Sequence, residues 1–165
     1  MEFLACLDWQ KAQEVVAQAL TTVAEEEAVE LLAATGRVTA ADILAQEDLP
    51  PFARSTVDGY AVRSADTFGA SEAAAALLEV AGEIHMGREA GFALEPGQAA
   101  AIPTGGMLPV GADAVVMLEY AEQPDGRTLL VQKKAAPNEN VLTQGEDVAC
   151  GEVLVEKGVR LDARH

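Results

Sequence analysis

The sequence is poor in the residues that staple a fold covalently or through a metal. Its two cysteines, Cys6 and Cys150, stand far apart, with no Cys-x-x-Cys pair and no histidine pattern beside them. That argues against a disulfide framework or a zinc site and for buried or idle thiols in a reducing cytosol. His85 and His165 are equally isolated, so neither is assigned a ligand role and no nucleophile–base set can be assembled around them. No window approaches the roughly 20 apolar residues of a membrane span. Residues 1–8 lack the basic region and the apolar length of a signal peptide, so a cytoplasmic protein is expected. Basic residues are scarce too: 11 Lys and Arg against 27 Asp and Glu leave a formal charge of -16. Such a field repels nucleic acid and anionic lipid, and its simplest use is solubility. A phosphate-bearing ligand would have to take most of its cationic contacts from other polypeptide.

What is present is a chain of 165 residues, half of them apolar, long enough for one sizeable core or two small ones. Asp8 is a plausible helix N-cap, and Trp9, Ala12, Val15, Val16, Ala19 and Leu20 recur at helical spacing behind it. Thr21 and Thr22 interrupt that pattern. A second helix is expected next, with Glu25, Glu26 and Glu27 in its first turn, Ala28, Val29, Leu31 and Leu32 as its stripe, and Gly36 as a left-handed cap. Residues 38–45 read as extended, and Asp48-Leu49-Pro50-Pro51 breaks them. From Pro50 the period shortens to that of strands, at 60–63, 77–81, 98–102 and 152–155, each close to a glycine. Residues 114–120 and 128–132 are expected to pair as a hairpin around Glu122-Gln123-Pro124-Asp125-Gly126. Residues 70–76 are ambiguous between helix and strand. Residues 145–161 read as two strands around Cys150-Gly151, and the run ends at His165 without a stop structure, as a piece of a longer protein would. The fold class expected is α+β and β-dominated, with N-terminal helices.

Three polar loops stand out in this apolar chain. In Pro51-Phe52-Ala53-Arg54-Ser55-Thr56-Val57-Asp58-Gly59-Tyr60, Ser55 and Asp58 have capping-box spacing and Asp58-Gly59 is a tight-turn dipeptide. A turn before a strand explains every residue there except Arg54; alternatively Asp58 faces a cleft and positions a substrate or a hydrated cation. In Ile102-Pro103-Thr104-Gly105-Gly106 the glycines let successive backbone N–H groups form an anion-holding concavity with the Thr104 hydroxyl, or simply supply positive φ. No Gly-Lys-Ser/Thr ending follows, so this is not a phosphate-binding P-loop. In Gly145-Glu146-Asp147 the paired acids suit a cation or, by default, a solvated turn.

Taken together these loops resemble the N-terminal region of the MoeA/gephyrin family of molybdopterin molybdenumtransferases. The matching residues are Pro51, Phe52, Ser55, Asp58, Gly59, Tyr60, Ala61 and Val62; the run from Thr104 to Val116 with Glu119 beyond; Gly145, Glu146, Asp147, Val148 and Gly151; and Gly36-Arg37-Val38 upstream. The resemblance covers essentially the whole chain. It implies coiled and bifurcated β-sheets with N-terminal helices. It implies an elongated part made of residues 1–49 with 139–165, and a β-rich domain of residues 50–138 inserted between them. A pterin-binding α/β domain and a C-terminal β-barrel would follow outside this sequence. The activity implied is insertion of molybdate into adenylylated molybdopterin with release of AMP, assisted by Mg2+ whose ligands lie mainly outside this chain, in a cleft shared by a homodimer. On that pattern Asp58 is the catalytic candidate, Thr104, Ser55 and Gly105 the substrate-binding ones, and no metal ligand is assigned. One departure is clear: where the family commonly carries arginines before Gly-Glu-Asp, this chain has Leu142, Thr143 and Gln144.

Two other readings compete with the enzyme. The first is a scaffold or oligomerisation module of the same family whose chemistry has lapsed. The second is an acidic cation-binding module unrelated to pterins.

Overall fold

β-strands dominate the structure, a computed structural model that describes residues 8–20 and 25–165. Cys6 and the expected interruption at Thr21 and Thr22 lie outside the described residues. The chain divides into two compact units, Met1–Ala41 with Lys157–His165, and Asp42–Glu156.

In the smaller unit, helix α1 (Trp9–Ala19) begins where Asp8 accepts a hydrogen bond from the Lys11 N–H at 2.8 Å, the N-cap that Asp8 promised. The second helix does not form. Residues 25–30 carry no regular structure and only Leu31–Ala33 makes a short 3-10 turn. Leu31 and Leu32 are 81% and 96% exposed. Gly36 nevertheless takes the positive φ expected of it and donates its N–H to the Leu161 carbonyl. Val38 bridges Arg160, and Arg37 pairs with Glu27.

The larger unit holds ten strands: β1 (Ile43–Leu44), β2 (Arg54–Ser55), β3 (Gly59–Val62), β4 (Ala76–Glu83), β5 (Gln98–Ile102), β6 (Ala114–Met117), β7 (Ala121–Asp125), β8 (Thr128–Val131), β9 (Val141–Leu142) and β10 (Val153–Val155). Two small ribbons, β1 with β10 and β2 with β9, accompany a six-stranded sheet in the order β6-β3-β5-β4-β8-β7. Only β4 and β5 run parallel, joined by the long connection 84–97 that parallel neighbours require.

This sheet cannot be flat. Its edge strands β6 and β7 are joined by the single 3-10 turn Leu118–Tyr120. Four Cα steps reach about 15 Å at most, while five strand spacings in a flat sheet amount to about 24 Å. The sheet therefore curls until its edges approach. The Tyr60 hydroxyl of β3 accordingly donates to Gln123 Oε1 of β7 at 3.0 Å, although four positions separate these strands in the sheet.

Period-two alternation then fills both faces. Tyr60, Val62, Leu78, Ala99, Ala114, Val116, Leu129 and Val131 form one core. Ala61, Ala100, Ile102 and Val115 face the other way, covered by Ile84 and Leu94 and flanked by Phe92 and Leu108. Each fully buried Val, Leu or Ile here contributes about 1.5–3 kcal/mol.

The expected hairpin is corrected in its pairing. Residues 128–131 pair with β7, while residues 114–117 pair with β3. Val115 and Val116 are buried on opposite faces, so β6 satisfies both by lying beside the central strand. Pro124, which has no N–H to donate, is left on the edge strand where the register slips. Residues 70–76 resolve as a turn closed between Ser71 and Ala74, followed at once by β4.

At Gly59 a Cβ would overlap the Val116 carbonyl. Gly59→Ala is expected to destabilise the protein by at least about 3 kcal/mol, whereas Gly126→Ala, where a Cβ meets nothing within 4 Å, changes stability little. Urea unfolding of the two variants measures this, and equal midpoints would refute the close approach.

Candidate functional site

The ladder between β3 and β5 ends with Gly59 opposite Ile102, and that between β3 and β6 with Gly59 opposite Met117. The segment entering β3 and the segments leaving β5 and β6 therefore emerge at one end of the sheet, side by side. Asp58 enters there and Thr104 leaves there. Asp58 Oδ1 accepts both the Thr104 N–H at 2.8 Å and the Thr104 hydroxyl at 3.0 Å, across 46 residues of sequence. The Asp58 carbonyl accepts the Leu118 N–H, which ties in the third segment.

Both side chains are exposed, and Asp58 Oδ2 has no hydrogen-bond partner among the described residues. The Thr104 N–H, and after it the Thr104 hydroxyl, hold the Asp58 carboxyl below the usual aspartate range; the small cost of partial desolvation works against them. The arrangement is an ionised carboxylate with one oxygen pinned and the other presented to solvent.

Ser55 and Gly105 join the same assembly through backbone contacts. The Ser55 N–H donates to the Gly106 carbonyl at 2.9 Å and the Gly105 N–H to the Ser55 carbonyl at 2.8 Å. Ser55 is only 2% exposed. Its hydroxyl donates to the Val57 carbonyl at 2.5 Å and accepts the Val57 N–H, so it braces the turn that carries Asp58. Gly105 has φ 82° and lies under the Met86 side chain. All four residues singled out in the sequence thus come together, with Asp58 and Thr104 outward and Ser55 inward.

The third loop closes on itself. Glu146 Oε2 accepts the Thr143 N–H and hydroxyl at 2.8 and 2.9 Å, bonds that hold its carboxyl below the usual range. Gln144 donates to Asp48 Oδ2 at 2.7 Å, and Gly145 donates to the Pro50 carbonyl. Its connection to the first loop is the ribbon preceding it, where Leu142 of β9 sits opposite Arg54 of β2.

Sequence reasoning left two contributors unassigned. Asp113 accepts from the Ser64 N–H and hydroxyl at 2.5 and 2.7 Å, locking the start of β6 to the end of β3. Arg54 is exposed on β2, flanked by Met107 and Leu142. Among the described residues no three His, Cys, Asp or Glu groups converge as metal ligands, and no helix is long and apolar enough to cross a membrane.

Residues 7–165 match the family model described as "MoeA N-terminal region (domain I and II)", and the chain belongs to that family. Among solved structures, a molybdopterin biosynthesis MoeA protein from Pyrococcus horikosii superposes with a TM-score of 0.84 at 46% identity, over 94% of this chain and 39% of that one. A molybdopterin molybdenumtransferase of Bacillus subtilis is 38% identical over 140 residues, 83% of this chain and 33% of its own. That of Staphylococcus epidermidis is 37% identical over 128 residues, 78% of this chain and 30% of its own. The chain thus spans about a third of the length of these relatives.

A carboxyl whose folded pKa lies below its unfolded value adds stability above the unfolded value and loses it as pH falls through the folded one. The Asp58–Thr104 contact is therefore expected to survive into mild acid and to release only below the ordinary aspartate range. Carboxyl-carbon NMR titration should place Asp58 below that range, and Thr104→Val should raise it only part of the way, since the backbone N–H contributes more than the hydroxyl. An ordinary titration midpoint in the parent protein would contradict the geometry.

Proposed function

We propose that this chain is the N-terminal portion of a molybdenum insertase, a cytoplasmic, homodimeric molybdopterin molybdenumtransferase. It would insert molybdate into adenylylated molybdopterin with release of AMP. The observation that carries the proposal is the exposed Asp58–Thr104 pair, set on a fold whose relatives bear the transferase name.

In this reading the pair lines one wall of the substrate cleft, and the remaining walls come from the regions that make up the other two thirds of the relatives. Asp58 Oδ2 accepts a hydrogen bond from a substrate N–H or O–H, or from a bound water. A carboxylate held below its usual range is a weak base at neutral pH, so positioning, rather than proton abstraction, is the role its environment favours. Because Oδ1 is fixed in advance by Thr104, little ordering remains to be done when substrate arrives. Gly105 and Ser55 support the pair, the first by opening its turn and the second by bracing the Asp58 loop.

Mg2+, where bound, would neutralise charge on the anionic substrates. In this reading its ligands come mainly from the other regions of the full-length protein.

Asp58→Ala in the full-length protein that carries this chain is expected to lower molybdenum insertion by about 100-fold, the scale on which loss of a preorganised polar group is felt, with the native fold retained by circular dichroism. Equal turnover in variant and parent would return the chain to a scaffold role.

A further inference from the structure

We infer that Arg54 binds the tetrahedral oxyanion of the substrate held beside Asp58 and Thr104. It rests on the anionic substrates proposed above, whose candidate groups are the phosphate of the pterin and molybdate itself.

Turn chemistry accounts for every residue of the 51–60 loop except this one. Arg54 occupies β2 next to the buried Ser55, and alternation along the strand turns its side chain to the exposed face. Its cross-strand neighbours, Met107 and Leu142, are uncharged. Arg37, Arg63 and Arg164 pair with Glu27, Asp66 and Asp162, whereas Arg54, Arg88, Arg127 and Arg160 make no ion pair among the described residues. The Arg54 guanidinium has no ion-pair or hydrogen-bond partner among the described residues.

Its location gives that free cation a use. Arg54 stands opposite Met107, and Ser55 is bonded to Gly105 and Gly106. Thr104 is therefore three residues along the facing segment, no more than about 10 Å away in that direction. An anion approaching Asp58 meets an ionised carboxylate and the field of a strongly acidic chain. A guanidinium on the same ledge offsets both, and its planar donor fork matches two oxygens of a tetrahedral anion.

Arg127 supplies the control. It is also exposed, but it lies in the turn between β7 and β8. There Thr128 is opposite Glu79 and Glu79 opposite Gln98, at the start of β5, whereas Thr104 follows the end of β5. Removing either arginine lowers the net charge by one, at opposite ends of the sheet.

In the full-length protein, steady-state molybdenum insertion is measured for Arg54→Ala, Arg54→Lys, Arg127→Ala and Asp58→Ala. Adenylylated molybdopterin is varied at saturating molybdate, and then molybdate at saturating pterin. Arg54→Ala is expected to raise one of the two KM values at least tenfold, and whichever rises names the anion. Arg54→Lys should recover part of the loss, and Arg127→Ala should match the parent. Unchanged KM values in Arg54→Ala, or equal shifts in Arg54→Ala and Arg127→Ala, would overturn the assignment. Arg54→Gln replaces Arg54→Ala if melting shows the latter misfolded. Full activity in Asp58→Ala would instead defeat the proposed function, whereas a crippled Asp58→Ala beside a normal Arg54→Ala would remove Arg54 alone.

Discussion

Strand β3 is held on both sides, by β5 and by β6, and the rest of the larger unit depends on those two ladders. They set Gly59 opposite Ile102 and Met117 at once, an approach so close that a side chain at 59 would collide with the Val116 backbone. Every consequence for the site follows from this three-strand alignment. It makes the Asp58 and Thr104 turns leave the sheet together, and it puts the Leu118 N–H on the Asp58 carbonyl.

The same alignment explains why a sheet end can carry an exposed polar pair without being floppy. Behind Asp58 and Thr104 the ladder is buried on both faces, with Ala61, Ala100 and Val115 on one side and Val62, Ala99 and Ala114 on the other. Small residues in the middle of the ladder let the curled sheet close over its core, while Tyr60 and Gln123 connect strands that a flat sheet would keep apart. In front, the turns spend their polar groups on one another: Ser55 on Val57, Thr104 on Asp58 and Thr143 on Glu146. Among the described residues, neither Asp58 Oδ2 nor the guanidinium of Arg54 has a hydrogen-bond partner. Solvent-facing groups of opposite sign suit a ligand that carries both a donor and an anion.

Local chemistry was legible where a residue answers to its immediate neighbours. The Asp8 cap, the positive φ of Gly36, and the strand at residues 98–102 were readable from spacing alone, and all are present. Ala28, Val29, Leu31 and Leu32 have a helical period, yet only Leu31–Ala33 forms a 3-10 turn, so period alone does not decide this segment. Residues 114–117 and 128–131 are near in sequence and suggest a hairpin, yet Val115 and Val116 are both buried by pairing with the central strand instead. Arg54 stood out in the sequence only as the residue without a structural duty.

Composition and local pattern by themselves determined a β-rich acidic chain, its turn positions, and the polar residues worth suspecting, because these depend on hydration, backbone preference and short-range periodicity. Only the tertiary structure decided which strands are neighbours, that Ser55 faces inward while Asp58 faces outward, and that Asp58 and Thr104 share a hydrogen bond. Those facts are set by the pairing of segments dozens of residues apart, and pairing is chosen by the burial of both faces of the sheet together, a quantity no single stretch of sequence contains.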